Sequence, residues 1–159
     1  LRAYYKASTS EPLTLIGQSD NKYYSYLVSL NERLSKEYGA RPVSILCDTP
    51  RNEVIKQIKK SKIYVCTSKS EHYPVSIVEA MACGCCWISR DVGIVKYLPG
   101  GIVLHSDNDL PAVLDSVLDN ESRLRSLAEK GRCYALNNLR EEVVLDKLEN
   151  GLLNLLREA

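Results

Sequence analysis

Apolar residues fall in short bursts along this chain, and the bursts alternate between two spacings. The run from Leu13 to Gly17, set off by Pro12, is compact, apolar and closed by glycine, which predicts a buried strand. Tyr23, Leu27, Leu30, Leu34 and Tyr38 then recur at helical spacing, and Gly39 supplies the stop. A second strand is predicted at 41–46. A second helix follows at 52–61, with Val54, Ile55 and Ile58 on one face. Residues 62–67 are rich in β-branched and aromatic side chains and read as a third strand. The run from Val75 to Cys83 reads as a third helix, ended by Gly84 where a left-handed residue is wanted. A fourth strand at 85–89, a short turn or helix at 94–98 and a fifth strand at 101–105 come next. From Leu110 on the spacing is wholly helical, over 110–118, 122–136 and 141–157. A further short helix is expected at Leu1 to Ala7.

Strands alternating with helices call for parallel pairing, because a parallel crossover is right-handed and carries a helix. The expected class is therefore α/β, a doubly wound parallel sheet (Rossmann-like) with helices clustered at the C-terminus. Such sheets bind ligands at the carboxyl ends of their strands. That directs attention to the loops after Gly17, Leu46, Thr67, Ser89 and His105.

Composition narrows the picture further. At 159 residues, with 45% hydrophobic and 26% charged side chains, the chain suits one ordinary domain with a real core. Its net charge of +1, with both signs interspersed, offers no electrostatic case for nucleic acid or an anionic membrane as partner. No apolar run approaches the roughly 20 residues a membrane-spanning helix needs. The six cysteines lie mostly in or beside apolar runs, as expected of core filler. Cys83, Cys85 and Cys86 are close in sequence but lack a second ligand pair at metal-binding spacing. Disulfides are not required here, which favours a reducing cytoplasm.

The chemistry gathers between Ser70 and Gly84. A helix starting near Val75 or Ser76 exposes unpaired amides and about half a positive charge at the edge of the sheet, a ready anion site. Glu71 lies in the loop before it and Glu79 inside it, while the rest of the helix is almost entirely apolar. An all-round apolar helix is usually buried on all sides, and a carboxylate there needs hydrogen bonds. Ligand hydroxyls would supply them. Ser76 and Glu79 equally have the spacing of a capping box, so the pattern alone fits both a cap and a ligand role. Glu71, read alone, fits a solvated loop acid.

The run from Ser70 through Glu71, Glu79 and Gly84, with Glu-Ala-Met-Ala-Cys-Gly at its end, resembles the E-x7-E signature of retaining glycosyltransferases built from two facing Rossmann-like domains. The large family-4 type group is the one resembled. The resemblance extends to nearly the whole chain, including 13–17, 43–49, 63–68, 88–93 and the last two helices. It implies a donor-binding domain at 1–159 that lacks its first strand, that strand's basic pair and the N-terminal acceptor domain. By the same resemblance Glu71 would stand at the reacting centre, Glu79 would accept from the ribose hydroxyls, and Ser76 and Ile77 would offer amides to the diphosphate. Tyr73 and Pro74 would shape the sugar pocket, with Val75 beside them. Asp48 and Thr49 would hold the base edge largely through backbone, and Gly17 counts with the substrate-binding positions. This chain has His72 and Tyr73 where the family has a small residue, Cys47 where it has glycine, and Lys96 where it has glutamate.

Implied further are a UDP-, GDP- or ADP-linked sugar as partner, no metal or other cofactor, and transfer with retention to a glycan, lipid or other acceptor. The location implied is cytoplasmic, with peripheral membrane association of the full enzyme left open. The chain by itself is expected to be inactive. Two other readings stand beside this one. The first is a nucleotide-binding module without catalysis that serves assembly or regulation. The second is an unrelated flavodoxin-like or receiver-type domain, which the lack of clustered acids after Gly17 and of an aspartate after Cys66 disfavours.

Overall fold

The computed structural model describes residues 1–19 and 22–158. Seven helices and five strands alternate along them as the apolar spacing predicts. They are α1 (Arg2–Lys6), β1 (Leu13–Gly17), α2 (Lys22–Tyr38), β2 (Val43–Cys47), α3 (Arg51–Lys60), β3 (Ile63–Cys66), α4 (Val75–Ala82), β4 (Cys86–Arg90), β5 (Gly101–Leu104), α5 (Leu110–Leu118), α6 (Glu121–Asn138) and α7 (Glu141–Glu158). Single 3-10 turns occur at Val95–Tyr97 and Asp107–Asp109. The fold is α/β with parallel pairing, as expected. The described strands form a two-stranded sheet, β1-β2, and a three-stranded sheet in the order β3-β4-β5.

The chain divides into two compact units, one of Leu1–Lys60 with Leu104–Leu124, the other of Ser61–Val103 with the residues from Arg125 on. In the first unit β1 runs parallel to β2, in a register that pairs Leu13 with Val43 and Gly17 with Cys47. Its core gathers Tyr4, Tyr5, Leu30 and Leu34, with Leu1, Leu13 and Val43 packed against them. Arg41 spans this cluster. Its guanidinium lies 5.5 and 5.8 Å from the Tyr4 and Tyr5 ring centres and donates to the carbonyls of Tyr4 and Thr9 at 2.8 and 3.1 Å. The Asp115 carboxylate of α5 accepts the amides of Ser8 and Thr9, which fastens the segment after α1.

In the second unit β4 is the middle strand, and Cys86 through Ser89 are fully buried. The core is built from Cys66, Ile77, Met81, Trp87, Val95, Leu98 and Ala135. The Trp87 indole donates to the Pro99 carbonyl at 3.0 Å, so its one polar group is satisfied. α4 ends as its sequence predicts. Gly84 takes φ +82, its amide donates to Met81 and the Cys85 amide to Ala80, both at 2.9 Å, closing a Schellman turn. α7 is different: Leu145, Leu148, Leu152 and Leu153 are exposed along one side of it.

Candidate functional site

β3 delivers the chain into a loop at 67–74, and the loop turns directly into α4. The capping-box expectation fails here. Pro74, not Ser76, is the N-cap, and no side chain caps the helix. Pro74 supplies the turn with its restricted φ of −73°, which places Ser76 one residue inside the first turn. The amides of Ile77 and Val78 already donate to the Pro74 carbonyl, at 3.0 and 3.4 Å. The first-turn amides to which the helix itself gives no acceptor are therefore those of Val75 and Ser76. Ile77, expected among the diphosphate-facing amides, has its amide engaged and its side chain fully buried.

The all-round burial expected of α4 is also corrected. Ile77, Ala80 and Met81 are buried, but Ser76, Val78 and Glu79 are half-buried and Val75 is 58% exposed. One side of the helix thus keeps access to solvent at the end where its amides are unpaired. In the preceding loop Pro74 is buried, Glu71 half-buried, and His72 and Tyr73 exposed. Pro74 anchors the turn while its neighbours point outward.

The Glu71 loop does not stand alone. After β4 the chain returns through Gly93, whose φ is +53, and the Ile94 amide donates to the His72 carbonyl at 3.3 Å. A β-carbon on Gly93 would lie 2.6 Å from the Glu71 carbonyl oxygen and closer still to that of His72. Only glycine allows these two backbones to touch in this way. Ser76 and Glu79 thus stand half-buried on α4 and Glu71 half-buried in the loop that Gly93 and Ile94 contact, with Val75, Pro74 and Tyr73 on the same turn.

Gly17, Asp48 and Thr49 belong to the other unit. There Gly17 and Cys47 close the parallel pair β1-β2, and the Asp48 amide donates to the Gly17 carbonyl at 3.0 Å. Asp48 has φ +50, an uncommon conformation for a residue with a side chain. Its carboxylate accepts the Ser19 amide at 3.2 Å and also bonds the Ser19 hydroxyl. The side chain thus ties two loops together. Thr49 is half-buried, and a side chain at Gly17 would meet nothing within 4 Å.

Sequence reading missed the Asp48–Ser19 tie, since it joins residues well separated along the chain. Cys66, Cys85 and Cys86 behave as core filler, whereas Cys47 and Cys83 are half-buried and Cys133 is exposed. Cys85 and Cys86 are fully buried, the Cys85 thiol donates to the Ser61 carbonyl at 3.1 Å, and burial pushes its pKa up to about 12. Such a thiol is neutral and inert. Among the described residues no three of His, Cys, Asp and Glu gather as a metal-binding group. Nor is any helix among them long and apolar enough to cross a membrane.

A parallel α/β scaffold with two carboxylates at the start of a helix at the carboxyl edge of a strand defines a class of ligand-binding domain. The comparisons with known proteins make that class definite. The sequence pattern of the group 1 glycosyl transferases matches residues 12–133, and the chain belongs to that family. No curated protein sequence matches it significantly. Among solved structures, it resembles sucrose-phosphate synthase from Thermosynechococcus elongatus at 20% identity and a TM-score of 0.78, over 99% of this chain and 41% of that one. The structure of Anabaena HepE in complex with UDP-glucose matches at 17% identity and a TM-score of 0.75, over 96% of this chain and 43% of that one. WaaG, a glycosyltransferase involved in lipopolysaccharide biosynthesis, matches at 20% and 0.67, over 84% and 37%. The fold is thus that of glycosyltransferase domains of the GT-B type, and the chain spans about two fifths of the length of these relatives.

Proposed function

We propose that this chain is the nucleotide-sugar-binding domain of a retaining glycosyltransferase, completed by an N-terminal acceptor-binding domain. The observation that carries the reading is the uncapped start of α4, with half-buried Glu71 in the loop before it and half-buried Glu79 within the helix, in a chain of this family. The diphosphate is met by the amides of Val75 and Ser76 and by the positive end of the helix, with no metal required. Glu79 accepts from the ribose hydroxyls, and Glu71 faces the sugar, where a carboxylate opposes the positive charge that develops at the anomeric carbon. Tyr73 and Pro74 border the sugar, while Asp48, Thr49 and the end of the strand at Gly17 serve the base. UDP-linked sugars are the first donors to try, since the HepE relative's structures hold UDP and UDP-glucose. The six free cysteines suit a cytoplasmic setting.

The test is turnover by the protein that carries this chain, supplied with UDP-, GDP- and ADP-linked hexoses. Product stereochemistry is followed by NMR. One donor should be consumed with its anomeric configuration retained. Glu71→Gln should lower kcat by about 100-fold or more, the usual order for a lost transition-state electrostatic contact. Inversion, or an unimpaired Glu71→Gln enzyme, would contradict the assignment. Nucleotide binding without any turnover would favour the non-catalytic module.

A further inference from the structure

The carboxyl ends of β1 and β2 are joined by a side chain in an unusual backbone setting. Gly17 and Cys47 pair as the last rung of the two parallel strands, and the Asp48 amide donates to the Gly17 carbonyl at 3.0 Å. Asp48 then takes φ +50, and its carboxylate accepts the Ser19 amide at 3.2 Å and the Ser19 hydroxyl as well. Both residues are exposed. A left-handed backbone is costly for a residue with a side chain, and a solvent-exposed hydrogen bond returns little. Stability therefore does not account for the tie, whose effect is to hold two loops in one arrangement. Gln18 and Cys47, each one residue before a member of the tied pair, line an open recess of about 460 Å³ together with Ile16, Tyr23 and Tyr24. Aromatic walls, a side-chain amide and the backbone of two strand ends suit a flat ring with a hydrogen-bonding edge, which is the chemistry of a nucleobase.

We infer that Asp48 is a positioning residue, whose tie to Ser19 holds the rim of this recess in the shape that discriminates among nucleobases. The inference rests on the reading of this end of β1-β2 as the part of a nucleotide-sugar site that serves the base. With its carboxylate engaged by Ser19, Asp48 acts on the base through the backbone it fixes. Discrimination needs hydrogen-bonding groups of fixed direction, and groups that must first be ordered contribute less to it. An untied rim still admits a base but chooses among bases less sharply.

Asp48→Gly removes the tie and keeps the fold within reach, since glycine adopts φ +50 without strain. Asp48→Asn keeps an acceptor for the Ser19 amide and tolerates the left-handed backbone. In the protein that carries this chain, UDP, GDP and ADP are titrated calorimetrically into wild type, D48G, D48N, S19A and the D48G/S19A double variant. The nucleotide that wild type prefers should bind D48G about 10-fold more weakly, the order of one or two lost hydrogen bonds. The other two should change by less than about 2-fold, so that the preference narrows, and D48N should restore it to within about 2-fold. The KM for the matching sugar donor should rise by the same factor in D48G with kcat within about 2-fold, the signature of lost uniform binding. Because the two residues form one tie, the double variant should lose no more than D48G alone. An unchanged preference in D48G, equal losses for all three nucleotides, or losses that multiply in the double variant would overturn this inference alone. A wild-type protein that binds none of the three nucleotides would overturn the reading of the site and this inference with it.

Discussion

A methyl group at Gly93 would collide with the backbone that carries Glu71, and that makes a glycine 22 residues away part of the site. The cost of Gly93→Ala has two parts. A left-handed φ of +53 disfavours any β-carbon by about 1–2 kcal/mol, and the Glu71 and His72 carbonyls must retreat to make room. The melting temperature should drop by roughly 2–4 °C per kcal/mol for a chain of this size. Because the displaced loop holds Glu71, kcat should fall as well, by about 10-fold or more, on the order of what misplacing a reacting group costs. Thermal unfolding and steady-state kinetics on the same preparation check both parts. A Gly93→Ala protein with normal kcat would detach Glu71 from the chemistry. At this scale the sequence is informative where a residue type is demanded locally. Gly84 had to be left-handed to end an apolar helix, and it is. It is uninformative where the reason for a residue lies elsewhere in the chain. Ser19 meets Asp48 across 29 positions.

Among the elements, alternating apolar runs located every strand and helix, because each must bury a face with its own period. The start of α4 was harder to read. Ser76 and Glu79 satisfy a cap and a first-turn placement equally well in spacing, and only the backbone shows Pro74 taking the cap. The same element was expected to be buried on all sides, yet Val75 and the Glu79 side keep access to solvent. Apolar composition reports what a helix can bury, not whether something covers it. α7 makes the point more strongly, since Leu148 and Leu152 are 59% and 54% exposed. Elements with little burial open at low free energy. Hydrogen exchange on this chain should therefore show the α7 amides exchanging about 100-fold or more ahead of those of β4, whose residues Cys86–Ser89 are fully buried. Equal protection in the two would mean that α7 is covered.

For the molecule as a whole, fold and family agree. Residues 12–133 carry the group 1 glycosyl transferase pattern, and solved relatives superpose over nearly the entire chain at 17–20% identity. The doubly wound class was legible because parallel strands dictate helical crossovers. The glycosyltransferase family was legible chiefly through the Ser70–Gly84 run, since charge and composition point to no partner. Where the chemistry of transfer is completed was not legible, because this chain spans about two fifths of the length of its solved relatives. The central claim is that the start of α4 holds a nucleoside diphosphate through Glu79. Calorimetric titration of UDP, GDP and ADP into wild type and Glu79→Ala tests it directly. One nucleotide should bind in preference, and the variant should lose roughly 10- to 100-fold in affinity, as expected when hydrogen bonds to a charged group are removed. Equal binding by both proteins would leave Glu79 a structural residue and contradict the account.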